Sequence, residues 1–107
     1  MVKQEVIESA VDRLVKVAHT PIKVILFGSY ARGTAHEGSD IDLLVVEDNI
    51  PDIAKEYNRV RGAIGQVGVG VDVLLYPLAE FERRSQWQTS PVADAVRYGK
   101  VMYERLA

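Results

Sequence analysis

With 107 residues, no cysteine and a formal charge of −2, the chain has the length for one domain and one core, expected to span residues 1–107. That composition excludes disulfides, thiolate metal sites and cysteine nucleophiles, and it lacks the basic surface that binds nucleic acid by releasing counterions from phosphate. Apolar residues make up 48% and charged residues 26%, the balance of a folded domain rather than a disordered one. The opening MVKQEVIESAVDR is charged throughout and no later stretch reaches membrane-spanning length, so a soluble, cytoplasmic protein without a membrane partner is expected.

Residues 3–19 read as an amphipathic helix, because Ile7, Val11, Leu14 and Ala18 recur at helical spacing. Thr20-Pro21 ends it, and His19 suits the negative end of the helix dipole. Ile22 to Phe27 is apolar on both faces, the pattern of an interior strand. Gly28 then permits close approach of a ligand or a positive φ, and Ser29 is placed either to cap a short helix over Tyr30 to Thr34 or to meet a phosphate there. The loop Ala35 to Ser39 is small and polar, with His36 expected in solvent.

A second strand, Asp40 to Val46, opens with Asp40 and Asp42, two positions apart and therefore on one face. A helix over 52–64 is expected to turn Ile53, Tyr57, Val60 and Ile64 inward and Lys55, Glu56, Arg59 and Arg61 outward. Gly65 to Gly70 has neither dinucleotide-binding nor Walker spacing and reads as a turn. In the strand Val69 to Tyr76, Asp72 stands among Val71, Val73, Leu74 and Leu75, where a buried carboxylate needs a partner or a ligand. Short helices are predicted over Leu78 to Gln86 and Val92 to Tyr98, with a last stretch, Lys100 to Leu106, of unassigned form. Trp87 is expected to close the core.

If the Asp72 strand lies beside the Asp40 strand, three carboxylates converge. Such a group holds hard cations such as Mg²⁺, and two ions about 3.5–4 Å apart serve in-line phosphoryl or nucleotidyl displacement. The cations would relieve the mutual repulsion that otherwise raises the carboxyl pKa values. Gly28 and Ser29 would hold the triphosphate through backbone N–H groups and the hydroxyl. Arg32, one turn on, either adds a charge-assisted phosphate contact or stays solvated.

Gly28-Ser29, ten intervening residues and Asp40-Ile41-Asp42, within GSYARGTAHEGSDIDLLV, resemble the signature of the DNA polymerase β superfamily of nucleotidyltransferases. The compact length, the later VDVLLY and the tail SPVADAVRYGKVMYE are similar to its minimal nucleotidyltransferase branch, the MntA-type antitoxins paired with HEPN-domain toxins. The resemblance implies an α/β (α+β) fold, a small mixed twisted sheet flanked by helices of the polymerase β palm type. It also implies Mg²⁺-dependent transfer of AMP from ATP to a tyrosine of a HEPN ribonuclease. By position, Asp40 and Asp42 would be catalytic metal ligands, Asp72 a third ligand and possible general base, and Gly28 and Ser29 the triphosphate contacts. Two readings of other kinds stay open: an antitoxin that neutralises its toxin by binding alone, and a small-molecule nucleotidyltransferase working as an oligomer.

Overall fold

The computed structural model describes residues 1–106. Its centre is a mixed four-stranded sheet in the order β3-β2-β1-β4. Strand β1 (Pro21–Phe27) runs antiparallel to both its neighbours, β2 (Ile41–Glu47) and β4 (Lys100–Glu104). Strand β3 (Val71–Pro77) lies parallel to β2, in a register that sets Asp72 opposite Asp42. A parallel pair needs a crossover connection, and helix α3 (Ile53–Ile64) supplies it.

Alternation along the strands divides the core into two layers. Val24, Leu26, Ile41, Leu43, Val45, Val71, Val73 and Leu75 face α1 (Gln4–Val17) and α3, meeting Ile7, Ala10, Val11, Leu14, Val60 and Ile64. On the opposite face Ile25, Leu44 and Val46 meet Val92 and Ala95 of α5 (Pro91–Tyr98), with Leu78 and Phe81 of α4 (Leu78–Ser85) at the margin. Arg13, on the outer side of α1 by pattern, reaches the end of α3, donating to the carbonyls of Ala63 at 3.0 Å and Ile64 at 2.8 Å. It thereby satisfies carbonyls that a helix terminus leaves unpaired.

Several details depart from expectation. Ser29 does not cap a helix: α2 runs Ser29–Arg32, and Gly28 occupies the cap position with φ +72°. In α3 the inward carboxylate is Glu56, 4% exposed, while Ile53 and Tyr57 are 54% and 38% exposed. Polar partners outweigh periodicity there. Glu56 accepts the His19 N–H at 2.8 Å and pairs with Arg59 at 3.1 Å, and its carboxyl lies within hydrogen-bonding reach of the fully buried Glu47. Glu47 accepts the Thr20 N–H at 3.0 Å, but its other oxygen has no partner as a carboxylate. A proton on Glu47, donated toward Glu56, resolves that deficit. Burial first, and then Glu56, push the Glu47 carboxyl up to about 7.

Trp87 does not close the core. It is 45% exposed, with the Arg83 and Arg84 guanidinium groups over its ring at 5.2 and 5.3 Å, so cation–π contact stabilises an indole at the surface. The unassigned C-terminal stretch is edge strand β4, tied to β1 by an ion pair between Lys23 and Glu104 at 3.1 Å.

Candidate active site

The site forms where β1 ends and β2 and β3 begin. Phe27, the last residue of β1, pairs with Asp42, so the chain leaves the sheet at Gly28 directly against that carboxylate. Gly28 has φ +72° and ψ −152°, a region essentially reserved for glycine. A Cβ built at this position would overlap Asp42 Oδ2. Both the backbone conformation and the approach to Asp42 therefore require the residue that stands there.

Asp42 is the half-buried member of an otherwise buried strand, and it shares the α4/α5 face of the sheet with Leu44. Asp72 comes from edge strand β3 and is exposed rather than buried, as the burial pattern of that strand shows. The parallel register nonetheless brings its carboxyl within hydrogen-bonding reach of Asp42. Burial first, then Asp72, and then Asp40 and Asp94, together raise the Asp42 carboxyl to about 6. The cause is the one expected of like charges sharing a partly desolvated site.

Asp40 stands one residue before β2 and is exposed. Its carboxylate packs on Gly70, where an added Cβ would meet Oδ1 at 2.6 Å, and the Ile41 N–H donates to the Gly70 carbonyl at 2.9 Å. Among the described residues no three His, Asp or Glu side chains close around one point as a finished metal centre. The Asp42–Asp72 pair still fits a hard divalent cation, because Mg²⁺ usually takes one or two carboxylates and completes its shell with waters and substrate phosphates. The raised Asp42 pKa is the electrostatic counterpart of that fit: two adjacent carboxylates favour a cation between them.

At the end of α2, one turn on from Ser29, Arg32 pairs through Nη2 with Asp94 Oδ1 of α5. Its guanidinium carbon stands 5.3 Å from the centroid of the Tyr98 ring. The α5 contribution was not legible in the sequence. Asp94 and Tyr98 are spaced to share one helical face, but nothing local says that this face meets Arg32.

Residues 5–101 match the nucleotidyltransferase domain family. The chain belongs to that family. Two proteins of Methanocaldococcus jannaschii, each provisionally named a protein adenylyltransferase, are similar to this nucleotidyltransferase at 70% identity, covering 78% of this chain and 59% of the relative, and at 32% identity, covering 72% and 74%. The chain thus spans under two thirds of the length of the first. Among solved structures, a Sulfolobus solfataricus nucleotidyltransferase superposes with a TM-score of 0.66 at 22% identity over 94% of this chain and 79% of that one. A toxin–antitoxin complex with AMP-PNP gives 0.66 at 23% identity over 92% and 73%. A Shewanella oneidensis complex of tri-AMPylated HEPN toxin with its MNT antitoxin gives 0.62 at 20% identity over 96% and 74%. These likenesses bear out the expected fold, a small mixed sheet flanked by helices. No helix among the described residues is long and apolar enough to cross a membrane.

Proposed function

We propose that this nucleotidyltransferase moves AMP from ATP to a protein hydroxyl, and that the acceptor is a tyrosine of a HEPN-family toxin whose ribonuclease activity the modification silences. The observation that supports this most is the meeting of the Asp42 and Asp72 carboxyls beside the Gly28-Ser29 turn. The names of the relatives favour a protein acceptor, and the toxin complexes of the same fold favour a HEPN partner.

In the reaction the acceptor oxygen attacks the α-phosphorus of ATP. One O–P bond forms, the α–β phosphoanhydride bond breaks, and pyrophosphate leaves. Gly28 and Ser29 bind the β and γ phosphates through backbone N–H groups at the start of α2, which have no partner within a helix. The Ser29 hydroxyl caps no helix and is available to the same phosphates. Arg32 adds charge on the outer side of the triphosphate. Asp72, the exposed carboxylate of the pair, takes the proton of the attacking hydroxyl. Asp42 and Asp72, with Asp40 alongside, would hold Mg²⁺. When bound, Mg²⁺ supplies a lowered pKa for the hydroxyl and neutralises charge on the departing pyrophosphate.

Co-expression with the product of the neighbouring gene, followed by intact-mass analysis of that partner, tests the reading. The expected result is one or more AMP increments on the partner, lost with Asp42→Asn although that variant keeps the parental fold by circular dichroism. Transfer by Asp42→Asn at the parental rate would sink the carboxylate assignment. An unmodified partner held in a stable complex, and inhibited equally by the variant, would replace enzyme with binding antitoxin.

A further inference from the structure

The geometry points to Asp94 as a positioning residue for nucleotide: from α5 it holds the Arg32 guanidinium at the site mouth, in the orientation that receives the triphosphate. This rests on the nucleotidyl-transfer reading and adds to it a residue outside the Gly-Ser and Asp-x-Asp segments.

Arg32 ends the short helix that begins at Ser29, so its side chain leaves α2 one turn from the turn assigned to phosphate. Two groups of α5 fix it. Asp94 Oδ1 accepts from Nη2, and the guanidinium carbon lies 5.3 Å from the Tyr98 ring centroid. An arginine has five N–H donors in a rigid fork, and this ion pair uses Nη2, leaving Nε and Nη1 for a further acceptor. The Arg32 side chain is 47% exposed, so a ligand can reach those donors. Asp94 is also close enough for its charge to act on Asp42, which places the Arg32–Asp94 pair within electrostatic range of the carboxylates.

A structural role alone explains this pair poorly, because ion pairs this exposed contribute little to folding. Positioning explains it better. A free arginine loses much rotamer freedom when it meets a ligand, and an arginine already held by a carboxylate and a ring has surrendered that freedom beforehand.

The test is calorimetric titration of the full chain with Mg²⁺ and α,β-methylene-ATP, an analogue whose α–β linkage cannot be cleaved. The proteins compared are wild type, Asp94→Asn, Asp94→Glu, Arg32→Gln and the double variant Asp94→Asn/Arg32→Gln. Positioning predicts that Asp94→Asn raises Kd roughly three- to tenfold, the net weight of about one ordinary hydrogen bond. Asp94→Glu recovers part of the loss. The double variant binds no worse than Arg32→Gln alone, because Asp94 acts through the arginine. Unchanged or tighter binding by Asp94→Asn overturns the proposal, since it would make the pair inert or a competitor of the phosphates. A further loss in the double variant also overturns it, by giving Asp94 a role independent of Arg32. If Asp94→Asn does not fold, Asp94→Glu and the comparison of Arg32→Gln with Arg32→Lys decide, since fork geometry rather than charge is then at issue. Wild type that binds no analogue at all removes the nucleotidyl-transfer reading itself, an outcome read before any variant is compared.

Discussion

Single atoms decide the site at Gly28. Its φ of +72° and the overlap of any added Cβ with Asp42 Oδ2 are separate obstacles to a side chain. Gly28→Ala should therefore lose about 1–3 kcal/mol of stability from backbone strain alone. Transfer should fall further, roughly 10²-fold, because Asp42 must give way and a displacement near 1 Å at a reacting centre has that effect. Thermal melting alongside AMP incorporation checks both parts. A variant that melts earlier yet transfers at the parental rate would show that Asp42 tolerates displacement. Gly70 makes the same kind of contact with Asp40, so two glycines define where two carboxylates rest.

Among the elements, α5 carries the most consequence for its size. Ser90 is its N-cap, accepting the Ala93 N–H at 3.0 Å while donating from the same hydroxyl toward the Arg84 carbonyl at 2.8 Å. That oxygen fastens the start of α5 to the end of α4. Ser90→Ala removes a cap, usually worth about 0.5–2 kcal/mol, and also the side-chain link to the Arg84 carbonyl, which keeps the Trp87 N–H at 3.0 Å. The expected destabilisation lies near the upper end of that range, read as a lowered denaturant midpoint at unchanged m-value. Nucleotide Kd should rise with it if α5 loosens, because Asp94 and Tyr98 reach Arg32 from this helix. A variant as stable as the parent would mean that water replaces the hydroxyl at no cost.

Across the whole molecule, stability depends on carboxyls at the two ends of β2. Asp42 is raised from 3.8 to about 6 and Glu47 from 4.5 to about 7. A group whose pKa is higher folded than unfolded holds its proton better in the folded state, so its stabilisation is present at low pH and lost as pH rises through the folded value. Both shifts act together between about pH 4.5 and 6. Glu56 is shifted downward, and its contribution is lost instead as pH falls below the ordinary carboxylate range. The protein without metal should thus be most stable at about pH 4 and weaken by a few kcal/mol toward pH 8. Glu47→Gln should flatten that decline and melt later than the parent at pH 8, since an amide donates to Glu56 without needing a proton. Equal slopes for parent and variant would mean that Glu47 does not govern the dependence.

How much was legible follows from where the information lay. Apolar periodicity located α1, β1 and α3 within a few residues, because each buries a stripe or two faces set by local spacing alone. The Gly-Ser and Asp-x-Asp segments marked the site because close approach and paired carboxylates demand particular residue types. The sequence by itself therefore determined the family and singled out Gly28, Ser29, Asp40, Asp42 and Asp72 as candidates. The tertiary structure decided what depends on registers and distant neighbours. Parallel pairing of β3 with β2 brings an exposed Asp72 to Asp42. Packing against Glu47 and His19 turns Glu56 inward where periodicity pointed it out. The seating of α5 on the sheet sets Asp94 beside Arg32, sixty-two positions earlier in the chain. Each is a contact between residues far apart in sequence, and local pattern encodes only which face a residue takes, not what that face will meet.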